Sequence, residues 1–221
     1  MKKTILAISA GLLFLMLTAG DCKKNNSEAS GNAPTPPSVS FNLPGTSDAC
    51  SQQVYSIVSF INANTTVLAA FAALPHTQNG NDYTWTVPQD SLTVTVKGTR
   101  QSDGTFTWEV RFNGVEDGVS YSNKLMLSGS TSADGKSGSF TAYDDTSSTV
   151  VGSFSYATAA NGDVTGTFTE YSSSNPVYKY DVLSKAAGGG SLTESMWNGS
   201  AWVASYTATW ATTGGAATGC P

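Results

Sequence analysis

From Tyr83 onward, apolar and polar residues alternate with a period of two, which is the pattern of β-strands that bury one face. In the run TFTWEVRF, residues 105–112, large apolar side chains take the even positions and polar ones the odd positions. The run SLTVTVKG, residues 91–98, repeats this alternation. In the last run, the pattern predicts one shared face for Trp202, Ala204, Tyr206, Ala208 and Trp210.

Short turn signals separate these runs. Asp-Gly or Asn-Gly pairs, which supply the positive φ of tight hairpin turns, occur at 103–104, 134–135, 161–162 and 198–199. Connections this short leave no room for the helical crossovers that parallel strands need. We therefore predict a mainly β fold: a single antiparallel up-and-down meander of about ten strands that forms a barrel or half-barrel.

One helical segment precedes the strands, and we predict that it packs on or in the sheet. Its apolar stripe follows the helical spacing i, i+3, i+4 and i+7 and consists of Val54, Ile57, Val58 and Ile61. The stretch Thr46-Ser47-Asp48 offers an N-cap, and Pro75 ends the segment. Poor helix formers at 62–66 leave two alternatives open, one kinked helix or two short ones.

A four-residue motif, Gly-(Ser/Thr)-Phe-(Ser/Thr), recurs in the strand region at Gly104, Gly138, Gly152 and Gly166. Residues two apart share a face, and a glycine within a strand permits bending or the close approach of a ring. We interpret the repeat as curvature and core packing. The alternative is an aromatic row that faces a ligand.

Charge excludes one class of partner. From Thr46 onward, seven Lys and Arg residues stand singly against fourteen Asp and Glu residues. A protein that binds nucleic acid needs a basic face that displaces counterions from phosphates. We therefore expect no nucleic acid as partner.

The first 21 residues have the layout of a secretory signal, with two lysines, an apolar stretch at 5–17 and small residues after it. The sequence LMLTAGDCKK at 15–24 then resembles the lipobox of bacterial lipoprotein precursors, in which the cysteine is lipidated and the chain is cut before it. Asp21 departs from the small residue usual before that cysteine, as in the relaxed lipoboxes of spirochaetes. The resemblance covers residues 1–24 and implies a lipid anchor on Cys22. The alternative is an ordinary signal peptide and an unmodified thiol at Cys22.

Residues 22–45 are predicted to be the lipidated cysteine and a flexible tether, because they are polar and rich in Ser, Asn and Pro. The folded domain is predicted to span 46–221. In the lipoprotein pattern, an aspartate after the cysteine goes with retention in the inner membrane. Lys23 stands there in this chain, which favours the outer membrane of the cell envelope.

The two remaining cysteines, Cys50 and Cys220, form an even pair in a chain predicted to be exported, where disulfides persist. We predict a disulfide between them that fastens the C-terminus to the start of the domain. Two separate thiols are the alternative.

The sequence lacks the motifs of the common catalytic and cofactor sites, so we expect no cofactor and no metal. The only histidine, His76, is predicted to be an exposed loop residue. Glu170 and Glu194 share the parity of apolar neighbours in their strands, which would place both on the apolar side. We favour the alternative, a register break or a strand end that leaves them in solvent. Two carboxylates can run a glycosidase-type hydrolysis, so a hydrolase is the remote alternative to a protein that is not an enzyme.

Two non-enzymatic hypotheses remain. The favoured one is a surface or periplasmic interaction or structural protein, and the alternative is a carrier for a hydrophobic or amphiphilic ligand. A helix that fills the concave face of the sheet favours the first. The expected partners are the membrane, through the N-terminal lipid, and a protein, glycan or hydrophobic ligand. The candidate contact residues are Trp108, Trp197, Trp202, Tyr206 and Trp210.

Overall fold

The computed structural model describes residues 34, 39–71 and 74–221. The predicted signal peptide, the predicted lipidation site Cys22 and most of the predicted tether lie outside the described residues.

The helical segment consists of two helices, α1 (Ala49–Thr65) and α2 (Val67–Phe71). The predicted N-cap is confirmed, since the Asp48 carboxylate accepts a hydrogen bond of 2.8 Å from the backbone N–H of Ser51. The break falls at Thr66, directly after the predicted run of poor helix formers. Of the two alternatives, two helices are therefore the one observed.

Twelve strands follow the helices in chain order. They are β1 (Thr77–Asn79), β2 (Asp82–Gln89), β3 (Leu92–Arg100), β4 (Phe106–Glu116), β5 (Val119–Thr131), β6 (Ser137–Tyr143), β7 (Val150–Thr158), β8 (Val164–Ser172), β9 (Asn175–Ser184), β10 (Gly190–Trp197), β11 (Trp202–Trp210) and β12 (Ala217–Thr218). At each of the four predicted turns, the glycine has a positive φ.

The strands form one sheet in the order β1 to β12, and every strand pair with a described register is antiparallel. The predicted up-and-down meander is confirmed, and the sheet is open and not a closed barrel. The predicted count of about ten strands falls short because the outermost strands are very short: β1 has three residues and β12 has two.

The chain forms two compact units, which we describe separately. The first contains Val67–Val150 and thus α2 and β1 to β6. Its buried apolar side chains take alternate strand positions, as predicted, and they include Trp85, Leu92, Val94, Val96, Phe106, Trp108, Val110 and Phe112. The indole N–H of Trp108 donates a hydrogen bond of 3.0 Å to the hydroxyl of Thr131.

The second unit contains Val39–Thr66 and Val151–Pro221. Helix α1 packs on one face of its strands, which we call the inner face. Val54, Val58 and Ile61 of α1 are at most 1% exposed. The ring of Phe60 meets that of Phe168 edge to face, with 5.6 Å between the centroids. Three residues of the predicted stripe, Val54, Val58 and Ile61, therefore belong to the core of this unit, and the fourth, Ile57, is partly exposed.

By length and composition alone, the stretch Ala49–Phe71 is apolar enough to cross a membrane, with a mean hydropathy of 1.4. The contacts of α1 are those of a core helix. Its first turn is joined to the C-terminus by a disulfide between Cys50 and Cys220, two residues separated by 170 positions, as predicted. The hydroxyl of Ser51, which is also in that turn, accepts a hydrogen bond of 2.8 Å from the backbone N–H of Ala217.

Buried residues, among them Pro34, lie before the predicted domain boundary at Thr46. Val39 and Phe41 are 4% and 2% exposed. The side-chain amide of Asn62 on α1 bonds to both backbone groups of Phe41, at 2.7 Å to its N–H and 2.9 Å to its carbonyl. The last residues of the predicted tether are thus part of the second unit.

The recurring Gly-(Ser/Thr)-Phe-(Ser/Thr) motif contributes to packing inside the second unit. Gly166 lies under the ring of Phe41, and a Cβ at this position would be only 2.5 Å from the Cζ atom of that ring. The glycine thus admits an aromatic ring against the strand backbone. This contact supports the core-packing interpretation of the repeat.

Candidate functional site

The hairpin between β10 and β11 ends in a turn that its own residues build. The backbone N–H of Asn198 donates to the carbonyl of Ala201, at 3.1 Å. The side-chain oxygen of Asn198 accepts from the backbone N–H groups of Ser200 and Ala201, at 3.0 and 2.9 Å. Gly199 has φ +99°, which a residue with a side chain rarely adopts. The Asn-Gly pair therefore closes this hairpin, as predicted.

A β-bulge lies below the turn. Tyr206 is paired with Glu194, and Ala204 is paired with the next residue of β10, Ser195, so that Ser205 is an extra residue. One inserted residue reverses the side-chain alternation in the rest of the strand. The prediction that Trp202 and Ala204 share the face of Tyr206 and Trp210 is therefore wrong.

Because of the bulge, Trp202 points to the outer face, which is opposite the face covered by α1. There it is paired with Trp197, and the two indole rings meet edge to face with 5.3 Å between their centroids. The Nζ atom of Lys179 on β9 lies 5.6 Å from the centroid of the Trp202 ring. The same Nζ atom is 2.8 Å from a carboxylate oxygen of Asp181. Both tryptophans are partly exposed.

The other face of the same hairpin end is also apolar. Met196 is paired with Val203, and these two side chains are 49% and 51% exposed. They are the two most exposed of the large apolar side chains in the described residues. We call the segment from Met196 to Val203 the hairpin tip. It presents apolar side chains on both faces, whereas the strands below it have one apolar and one polar face.

The other three candidate contact residues are buried. Trp108, Tyr206 and Trp210 are 1%, 8% and 3% exposed. The hydroxyl of Tyr206 accepts a hydrogen bond of 3.3 Å from the side-chain amide of Gln53 on α1. These three residues contribute to the cores of their units, and only Trp197 and Trp202 remain accessible among the five.

Glu170 and Glu194 lie on the inner face, the side that their parity indicates, and a register irregularity follows each of them directly. Glu170 is opposite Tyr178 and Glu194 is opposite Tyr180, so that Tyr180 lies on the strand between the two carboxylates. From strand spacing and rise, the two glutamate Cα atoms are about 12 Å apart. Both glutamates are partly buried.

The glutamates influence the pKa values of two neighbouring tyrosines, Tyr180 and Tyr206. Burial raises the pKa of Tyr180, and the negative charges of Glu170 and Glu194 raise that pKa further. Burial likewise raises the pKa of Tyr206 to about 12, with a smaller contribution from Glu194. Both phenols are therefore neutral at physiological pH, and this cluster is a set of neutral hydroxyls beside two carboxyl groups.

His76 is partly buried and packs on aromatic rings, which differs from the predicted exposed loop residue. Its ring centroid lies 5.3 Å from that of Trp85 and 5.9 Å from that of Tyr83. The Nε2 atom of His76 and the Nε1 atom of Trp85 are buried without a hydrogen-bond partner in the described structure. Within the described part of the chain, no three His, Cys, Asp or Glu side chains are grouped so that they could hold a metal ion.

Sequence reasoning missed Met196, Val203 and Lys179 as parts of the candidate site. One signal was present for the first two. The sequence MWNGSAWV has apolar pairs on both sides of an Asn-Gly turn, where a strand with one buried face would alternate. The position of Lys179 beside Trp202 depends on strand register, which the sequence does not display.

No protein-family model matches this chain, and no curated protein matches it. The case for a function therefore depends on the residues described above.

Proposed function

We propose that this chain is a lipid-anchored protein of the bacterial cell envelope whose β-domain is a non-enzymatic interaction module. The observation that carries the proposal is the hairpin tip, where Trp197 and Trp202 on one face and Met196 and Val203 on the other are accessible. Exposed apolar side chains that are grouped together mark sites of association with other molecules.

The inner face of the second unit supports interaction over ligand transport. Helix α1 lies on that face with Val54 and Val58 both 0% exposed, and Phe60 packs on Phe168. A carrier needs room for its ligand against an apolar face. In the second unit, α1 occupies the apolar face on which a ligand would bind.

Sequence and covalent structure support the envelope location. The segment that resembles a lipobox ends in Cys22, and the polar residues after it have the composition of a flexible spacer. The disulfide between Cys50 and Cys220 is typical of a protein that folds in an oxidising compartment outside the cytoplasm.

The anchor is tested by expressing the whole chain in bacteria supplied with labelled palmitate. The wild-type chain should carry the label and sediment with membranes, whereas Cys22→Ser should be unlabelled and released. A wild-type chain without label, found in the soluble fraction, would contradict the anchor.

The interaction role is tested by placing a photo-crosslinking amino acid at Trp202 in the membrane-attached chain. We expect a crosslinked adduct from this position. The matched control is Val115, which is 44% exposed in the first unit and should give none. Equal adducts, or none from either position, would contradict docking through the hairpin tip.

A further inference from the structure

The two apolar faces of the hairpin tip restrict the kind of partner. A sugar ring or a flat protein surface would cover one face, for example Trp197 and Trp202, and would leave Met196 and Val203 exposed on the other. A medium that surrounds the hairpin end covers both faces at once. The interfacial layer of a lipid bilayer is such a medium, and tryptophan is enriched at that layer because its ring is apolar with one polar N–H.

Charge is absent where the hairpin would enter the bilayer. From Ser195 to Pro221 the sequence contains no Asp, Glu, Lys, Arg or His. The hairpin tip can therefore leave water without desolvating a charged side chain. Lys179 lies beside Trp202 at the level where the charged part of the sheet begins, and a lysine there can place its ammonium group among lipid headgroups.

Part of the backbone of the turn is satisfied internally. Asn198 uses its backbone N–H and its side-chain oxygen to bond three backbone groups of Ser200 and Ala201. The β11 half of the tip lies on a sheet edge, since β12 pairs only with Thr209 and Trp210. Unsatisfied backbone groups are costly in the acyl core of a bilayer. The tip is therefore suited to the interfacial layer, where backbone groups can still bond to water and headgroups.

The length of the hairpin end beyond Lys179 agrees with the depth of the bilayer interface. Asn198 in the turn lies three positions after Ser195, which is paired with Lys179. At the rise of a strand these positions extend about 10 Å, which is the depth of the boundary between headgroups and acyl chains.

The proposed anchor, on which this inference rests, would keep the tip within reach of the membrane. In the sequence, Cys22 lies seventeen positions before Val39 of the second unit. A tethered tip meets the bilayer at a high effective concentration, so a weak contact is sufficient.

We propose that the hairpin tip, Met196–Val203, inserts into the interface of the membrane that carries the lipid anchor and thereby fixes the orientation of the second unit. The lipid anchor holds the chain at the membrane, and the tip is a second, non-covalent contact. Its ligand is the lipid surface itself.

The test uses the whole lipidated chain in phosphatidylcholine vesicles whose acyl chains carry bromine, which quenches tryptophan fluorescence on contact. Three of the tryptophans, Trp85, Trp108 and Trp210, are at most 3% exposed. Bromine should therefore quench Trp197 and Trp202 alone, two of the five tryptophans, and remove up to two fifths of the emission if all five emit equally.

Three variants control the measurement. The double variant Trp197→Phe/Trp202→Phe should lose the bromine-dependent quenching. Met196→Ser/Val203→Ser keeps both tryptophans and should reduce the quenching at least twofold, because the opposite face of the tip no longer favours insertion. Val115→Ser removes an exposed apolar side chain of the first unit and should leave the quenching unchanged.

Flotation of the vesicles separates the two proposals. A chain that floats and shows no bromine quenching, while acrylamide in water still quenches its fluorescence, would overturn the tip contact and leave the anchor intact. A shift of the emission on adding an oligosaccharide instead would identify a glycan site and also overturn it. A chain that does not float contradicts the anchor and the tip contact that depends on it.

Discussion

The ring of Phe41 packs against the backbone of Gly166, where a Cβ would lie 2.5 Å from the Cζ atom of the ring. Gly166→Ala should therefore destabilise the fold by about 1–3 kcal/mol, the usual cost of overpacking a core. Urea denaturation measures this change. Gly152→Ala is the matched control from the same sequence motif, since a Cβ there would meet its nearest atom at 3.6 Å. Equal losses in the two variants would contradict the close approach of Phe41.

The disulfide between Cys50 and Cys220 should contribute a large part of the free energy of unfolding. It closes a long loop, because the two cysteines are 170 positions apart in the sequence. Reduction should lower the free energy of unfolding by about 3–5 kcal/mol in the chain-entropy model. Urea denaturation with and without dithiothreitol gives the difference. Cys50→Ala/Cys220→Ala should be insensitive to the reductant, and a wild-type midpoint that does not move would count against this contribution.

Tyr206 should make the stability depend on alkaline pH. Burial raises its folded-state pKa to about 12, above the unfolded value of about 10. The stabilisation by the neutral buried phenol is complete below pH 10 and is lost as pH rises toward 12. The slope for this one group is at most about 1.4 kcal/mol per pH unit.

Urea denaturation across that pH range measures the slope. Tyr206→Phe should flatten it by one group. The same slope in wild type and Tyr206→Phe would show that another group is responsible.

Substituting a tryptophan of the core should cost more stability than substituting one of the candidate site. Trp108 is 1% exposed and bonds to Thr131, so Trp108→Ala should cost about 3–5 kcal/mol. Trp202 is partly exposed and contacts Trp197 and Lys179, so Trp202→Ala should cost about 1 kcal/mol. Thermal or urea unfolding compares them. A loss at Trp202 as large as that at Trp108 would place the hairpin tip within the core.

These contrasts show what alternation along a strand can and cannot predict. The period of two assigned the faces of β3 and β4 correctly. For Glu170 and Glu194 we favoured a register break, and parity alone indicates the observed inner face, because each irregularity lies just beyond the glutamate. The period of two failed at Trp202, because the extra residue Ser205 reverses the faces of β11 and no local sequence signal marks that bulge.

Alternation also does not say what covers a face. Trp108 and Trp210 were predicted as contact residues together with Trp197 and Trp202, since all four have the same size and chemistry. Burial of the first two depends on elements that are distant in sequence: Trp108 bonds to Thr131 of β5, and Trp210 packs over Gly190 of β10. Distinguishing them required the strand register.

The most direct measurement of the central claim, that the hairpin tip docks in the envelope, uses a single added thiol at Ser200→Cys. If Cys22 is lipidated as we propose, and with Cys50 bonded to Cys220, this thiol is the only free one in the chain. We expect a water-soluble maleimide to label it at least tenfold more slowly in the membrane-attached chain than after solubilisation, whereas Val115→Cys reacts at the same rate in both. Equal rates for Ser200→Cys in the two states would contradict docking through the tip.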